Sequence, residues 1–334
     1  MKKKRLSPDF TLVPKKITCP ICRHDFKRHY PIASVDFPIT RYDVDLRPVY
    51  PGNFHPRTFS NTTCPACFFS AKDTYFCAYV PPHQRAHKEI LMSRILEANP
   101  RNRDIGDPDE KRLRTIDDED VENITKIRPA LTGVVRRLLG SIRKKPLNVL
   151  QQYGEGDLAI VTFSLAGLCY DARKLSNTHT AHAYLGAAWA ARDQFDRLRS
   201  QEKKQKYKKM DMALSRIALT YFTRYLNSEE ILVFDMDKAG DERHKSLMMK
   251  MEGYGPFMFK KLLELIYLTG AIQQLAKKYT EAKIPFSFLN GIVSPEVTDF
   301  GRDRNLEKNL ESIKKYKQLA NTRLGEIEAI EEKS

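Results

Sequence analysis

The sequence is short of cysteine, holds a single tryptophan and has no long apolar run, and each scarcity removes a class of protein. Six cysteines in 334 residues are too few for the dense disulfide framework of a secreted scaffold. No stretch of about 18 apolar residues occurs, so no membrane-spanning helix is expected. The opening Met1-Lys2-Lys3-Lys4-Arg5 runs into Leu6-Ser7-Pro8-Asp9 and not into an apolar signal core, which predicts a cytoplasmic protein without membrane insertion. Gly253-Tyr254-Gly255 lacks the strand, spacing and lysine of a phosphate-binding loop and reads as a turn. Neither a nucleophile beside a base nor a well-spaced acid pair stands out, so any catalytic groups must converge from distant segments.

What is present suits a folded protein with more than one core. Hydrophobic residues make up 41%, with 17 Phe and 15 Tyr, and the length accommodates two domains of ordinary size. The net charge is +15, from 57 basic and 42 acidic residues. The first hundred residues hold 16 basic and 8 acidic side chains, a net +8. Such a balance serves first as general solvation of the surface, and it also favours acidic partners: nucleic acid, an anionic membrane face or an acidic protein.

Four of the cysteines form two tight pairs, Cys19-Pro20-Ile21-Cys22 and Cys64-Pro65-Ala66-Cys67. Each C-x-x-C can bend into a knuckle presenting two thiolates, and two knuckles complete a tetrahedral sulfur shell with no open position. One structural zinc ion held by Cys19, Cys22, Cys64 and Cys67 is the expectation. The competing redox reading needs a strand leading into a helix that opens at the first cysteine, whereas strand and turn sequence flanks both pairs. Four buried free thiols have no reason to repeat the spacing. With four sulfurs already available, His24, His29 and His55 are expected at the surface or in hydrogen bonds. His83 and His87, four apart, lack an acidic third ligand.

Between the knuckles, Arg23 to Thr63 is rich in aromatics, prolines and β-branched residues. Tyr30 to Phe37 and Arg41 to Leu46 have strand character, and Pro48, Pro51-Gly52 and Pro56 read as turns. Asp43 and Asp45 lie two apart like the first ligands of a calcium loop, but the glycine and closing acid of that loop are missing, so both are expected as solvated strand residues. Arg41, Asp43 and Asp45, then Pro48 and Tyr50, then Pro56 and Phe59 ahead of the second pair resemble the bacterial family known as domain of unknown function 2225. That resemblance implies an N-terminal pair of C-P-x-C motifs followed by helical repeats, and it implies no activity. The chain departs from the pattern after each second cysteine, where Arg23 and Phe68 stand in place of the usual glycine.

Beyond Pro81-Pro82, His87 to Ala98 has helical composition, and Arg101 to Asp120 reads as a charged linker. Val121 to Arg143 is helical, with Pro129 interrupting or starting the helix. Further long amphipathic helices are expected over Asp157 to Leu175, Ala181 to about Arg199, Met210 to Leu226, Phe257 to Tyr279 and Leu306 to Ile330. Between the second and third of these, Lys203, Lys204, Lys206, Lys208 and Lys209 form a basic connector, and Val233 to Gly255 reads as a long loop. Gly186-Ala187-Ala188-Trp189 and Leu268-Thr269-Gly270 resemble the first helix of a tetratricopeptide unit, without a clean 34-residue period. The expected fold is therefore α+β, predominantly α: a zinc-ribbon-like β module over 1–80, a helix and charged linker over 81–120, and an α-helical, tetratricopeptide-like domain over 121–334. The leading functional expectation is a non-enzymatic adaptor that engages another protein through its helices. A second is a nucleic-acid-binding regulator using Arg23, Lys27, Arg28 and Arg41 on phosphates, and a third is a zinc-dependent enzyme.

Overall fold

A computed structural model describes residues 12–31, 39–50, 56–72, 76, 115–139, 156–228, 256–292 and 304–333. It is α+β and predominantly helical. Three small antiparallel hairpins come first, β1 (Leu12–Thr18) with β2 (Asp25–Pro31), β3 (Arg41–Tyr42) with β4 (Pro48–Val49), and β5 (Asn61–Thr63) with β6 (Ser70–Lys72). Eight helices follow among the described residues: α1 (Asp118–Lys126), α2 (Arg128–Leu139), α3 (Gly156–Ala172), α4 (Asn177–Arg197), α5 (Gln201–Ser228), α6 (Pro256–Leu275), α7 (Tyr279–Gly291) and α8 (Arg304–Glu331). None is long and apolar enough to cross a membrane.

The chain folds as two compact units. The described residues within 12–43, 47–76 and 115–221 make the first, and those within 44–46 and 222–333 the second. At the centre of the first lies α3, whose sequence is apolar on every side and which is buried at Leu158, Ala159, Ile160, Val161, Leu165, Ala166 and Cys169. A helix without a polar face must be covered all round, and α1, α2, α4, β5, β6 and the 3-10 turn Pro56–Phe59 cover it. α3 and α4 approach closely because of their glycines. A Cβ on Gly167 would lie 2.8 Å from the Tyr184 ring, and one on Gly186 would lie 2.5 Å from the Phe163 ring. The second unit packs α6, α7 and α8 together around Leu263, Ile266, Tyr267, Phe286, Leu289, Ile313 and Tyr316. There the Tyr267 hydroxyl donates to the Val44 carbonyl at 2.8 Å, and Arg323 Nε donates to the same hydroxyl at 3.2 Å.

The helix expected from Val121 is interrupted around Pro129 as its sequence implies: the chain breaks at Ile127 into α1 and α2, with Pro129 in the first turn of α2, where its missing N–H is no loss. Other elements differ from expectation. Arg41 to Leu46 is not one strand: only Arg41–Tyr42 is extended, and the chain turns back with Leu46 left-handed at φ 59°. Asp45 is consequently buried, and Asp43 accepts from Arg47 Nε at 2.7 Å, so neither is a freely solvated strand residue. The lysine-rich connector is the first part of α5, which starts nine residues before Met210. α7 was not anticipated, because Pro285 sits inside it. The expected helix over 87–98, most of the charged linker and the loop over 233–255 lie outside the described residues.

Candidate metal centre

Each knuckle is the turn of a hairpin. Residues 19–24 link β1 to β2 between the paired Thr18 and Asp25, and residues 64–69 link β5 to β6 between the paired Thr63 and Ser70. The two turns are wired alike. The Cys19 N–H donates to the His24 carbonyl at 2.9 Å and the Arg23 N–H to the Cys19 carbonyl at 3.1 Å; the Cys64 N–H donates to the Phe69 carbonyl at 2.9 Å and the Phe68 N–H to the Cys64 carbonyl at 3.0 Å. Arg23 and Phe68 adopt left-handed conformations, φ 62° and 63°. The turn that glycine usually serves is thus made without glycine, at a strain of roughly 1–2 kcal/mol per residue.

The hairpins bring the sulfurs of Cys19, Cys22, Cys64 and Cys67 within 4.8 Å of one another. The Cys19 and Cys67 sulfurs are 3.6 Å apart, as are those of Cys22 and Cys64. A tetrahedral ion with metal–sulfur bonds of about 2.3 Å spaces its sulfurs by about 3.8 Å, so the cluster fits such an ion. Cys19, Cys64 and Cys67 are buried and Cys22 is exposed. Their acidities are pulled apart because the thiols share protons. Hydrogen bonding with Cys64 pushes Cys19 up, hydrogen bonding with Cys19 pushes Cys67 up, and hydrogen bonding from Cys19 draws Cys64 down. Only a cation among them lets all four ionise together, and four thiolates suit a soft or borderline metal. The Ala66 N–H points at the Cys64 sulfur, 3.4 Å away.

Among the described residues no other titratable group joins the shell. His24 is exposed, its ring parallel to that of Phe26 with centroids 6.4 Å apart. Burial pushes the Cys169 thiol up to about 12, and its sulfur accepts from the Ser70 N–H at 3.4 Å. Among the expected phosphate contacts, Arg23, Lys27 and Arg41 are exposed, but Arg28 is 1% exposed. Its guanidinium donates to the carbonyls of Asn61 and Phe59, tying the first hairpin to the third and to the 3-10 turn that precedes it, so it faces protein and not solvent.

The cluster is not a detached head. Cys19, Cys64, Cys67, Phe26 and Phe69 share one hydrophobic core with Ile116, Ile124, Leu131, Val135, Val161 and Leu165 from the helical side. Arg128 at the start of α2 donates to the carbonyl of Ala66, inside the second knuckle, at 3.0 Å. The segment between the knuckles is fastened to α4 by a buried ion network that the sequence reading missed. Arg47 donates to Asp193 at 2.9 Å and to Asp196 at 2.7 Å. Arg57 pairs with the other oxygen of Asp193, donates to the Pro48 carbonyl at 2.7 Å and lies 5.4 Å from the Tyr50 ring centroid and 5.5 Å from that of Trp189. Burial pushes the Asp193 carboxyl up and the Arg57 guanidinium down, each against the opposing pull of its partner. The available signal was Asp193 and Asp196 three apart on one helix, with unassigned arginines between the knuckles.

No solved structure matches the chain. A Borreliella burgdorferi protein described as uncharacterized is 33% identical over 89 residues, 25% of this chain and 30% of that protein. The match therefore spans less than a third of the relative's length. The model of a family described as uncharacterized protein conserved in bacteria matches residues 12–112 and 120–316. With its paired knuckles and helical body, the chain belongs to that family, domain of unknown function 2225.

Proposed function

We propose that the protein is a cytoplasmic, non-enzymatic adaptor in which one structural zinc ion, held by Cys19, Cys22, Cys64 and Cys67, fixes the knuckle hairpins to a helical body that engages another protein. The observation that supports this most is the shared core. A four-sulfur shell leaves no position for substrate, and three of its members are packed among side chains of the helical side, which is the placement of a structural metal. Zinc satisfies four thiolates in tetrahedral geometry without redox chemistry. Paired antiparallel helices such as α3–α4 and α6–α7, tetratricopeptide-like in their small-residue contacts, present the kind of extended surface used for protein recognition.

The test joins metal content to partner stoichiometry. One zinc per chain, with Cys19, Cys22, Cys64 and Cys67 shielded from thiol reagents until chelation, supports the centre. Affinity purification of the full chain from its own cells, with quantitative mass spectrometry, is expected to yield a protein in near-stoichiometric amount. Iron in the site, or zinc that exchanges readily and accompanies a hydrolytic activity, would overturn the structural role. Zinc without a stoichiometric partner would overturn the adaptor.

A further inference from the structure

The start of α5 concentrates positive charge in a way that works against the helix. Five lysines, Lys203, Lys204, Lys206, Lys208 and Lys209, fall within its first nine residues. Cations near a helix N-terminus oppose the helix dipole. Lys203 with Lys206, Lys206 with Lys209 and Lys204 with Lys208 set like charges three or four apart, where they repel. Glu202 offsets part of this, but the next acid is committed elsewhere: Asp211 takes two hydrogen bonds from Arg192 on α4, both 3.0 Å. From Lys203 to Thr220 no exposed residue is acidic, and the exposed cations are Lys203, Lys206, Lys208, Lys209 and Arg216. The buried side of the same helix is occupied by Tyr207, whose hydroxyl donates to Asp157 at 2.7 Å, and by Ala218. Lys204 and Lys206 lie over the Phe195 and Tyr207 rings, 5.3 Å from each centroid, and Lys203, Lys208, Lys209 and Arg216 stand exposed.

We propose that this face of α5 docks on the phosphate backbone of double-stranded nucleic acid. From Lys203 to Arg216 the helix rises roughly 20 Å, and a duplex of that length carries roughly 12 phosphate charges. Positive charge repeated along one helix, with its single interleaved acid, Asp211, paired to Arg192, complements a continuous line of negative charge better than the mixed charge of a protein surface. No exposed aromatic lies between Lys203 and Thr220, so the face has no platform for the unstacked bases of a single strand. The proposal uses none of the basic residues of the knuckle segment and does not depend on the adaptor reading.

The experiment uses the full, metal-loaded chain and a fluorescent 20-base-pair duplex of mixed sequence, titrated at several salt concentrations. Wild type is expected to bind with a dissociation constant of roughly 1–100 µM and a steep salt dependence. The combined variant Lys206→Gln, Lys209→Gln, Arg216→Gln is expected to shallow the slope of log affinity against log salt by about 2.7, three phosphate contacts' worth. Its melting temperature is expected to be no lower than wild type, because the repulsion is relieved. If the triple variant is poorly folded, each single variant still carries an expected change of about 0.9. Lys16→Gln with Lys27→Gln on the knuckle hairpin is expected to leave the slope unchanged. Absence of duplex binding, an unchanged slope in the α5 variants or loss only in the hairpin variant would overturn the proposal. Competition by polyglutamate equal to that of duplex per unit charge would also overturn it, in favour of an acidic protein partner.

Discussion

Two non-glycine residues in the knuckles, Arg23 and Phe68, carry left-handed backbone strain. Arg23 is exposed with φ 62°, so Arg23→Gly removes the left-handed penalty without opening a hole. We expect it to stabilise by about 0.5–1 kcal/mol, less than the strain itself because glycine also loosens the unfolded chain. The denaturant midpoint of the metal-loaded protein measures this. Phe68 has the same φ but packs against the core around the cysteines, so Phe68→Gly is expected to lose more in burial than it recovers in strain. Asp193 is the opposite case, a buried charge that two arginines share. Asp193→Asn leaves the buried Arg57 guanidinium without a full counter-charge, while Arg47 keeps Asp43 and Asp196, and is expected to lower stability by about 3 kcal/mol. A loss below 1 kcal/mol in urea denaturation would show that the network is wet and contributes little.

The helices were readable where local sequence alone sets them and unreadable where a neighbour intervenes. The helix over α3 was legible as an amphipathic one, but its residues are buried on every side and leave no polar face. α7 was hidden by Pro285, which ordinarily ends a helix. It is tolerated at a site where Gly270 on α6 leaves room: a Cβ there would lie 2.8 Å from Phe286 and 2.9 Å from Pro285. The lysines at the start of α5 looked like a connector because they break the apolar pattern, yet their helix is held through Tyr207 and the Arg192–Asp211 pair. Glycines give a direct test of helix contact. Gly186→Ala presses a methyl into the Phe163 ring and is expected to cost about 1–3 kcal/mol. Gly133→Ala in α2 and Gly325→Ala in α8 meet nothing within 4 Å and are each expected to stabilise by about 1 kcal/mol. Thermal melts of the three variants separate packing from propensity.

For the whole molecule, the consequence is unequal dependence on the metal. Binding energy at a structural site is folding energy, and this site's core runs into α1, α2 and α3, whereas α6, α7 and α8 have a core of their own. Chelation, or Cys64→Ser, is therefore expected to expose α1–α3 to limited proteolysis together with the hairpins, while the α6–α8 segment stays protected. Protection of α1–α3 in the metal-free chain would mean that the knuckles are only an appendage. The four candidate ligands could be identified from sequence because each pair lies within one turn, and the spacing Cys-x-x-Cys sets which two sulfurs face the same way. The helices other than α7 and the start of α5 followed from apolar spacing and composition, which are equally local. What the cysteines pack against, and why Arg47 and Arg57 are present, only the tertiary structure decided. Their partners stand 136 to 149 residues away, and pairing across such distances is selected by how α3 and α4 come together, a property of the folded core that no local pattern encodes.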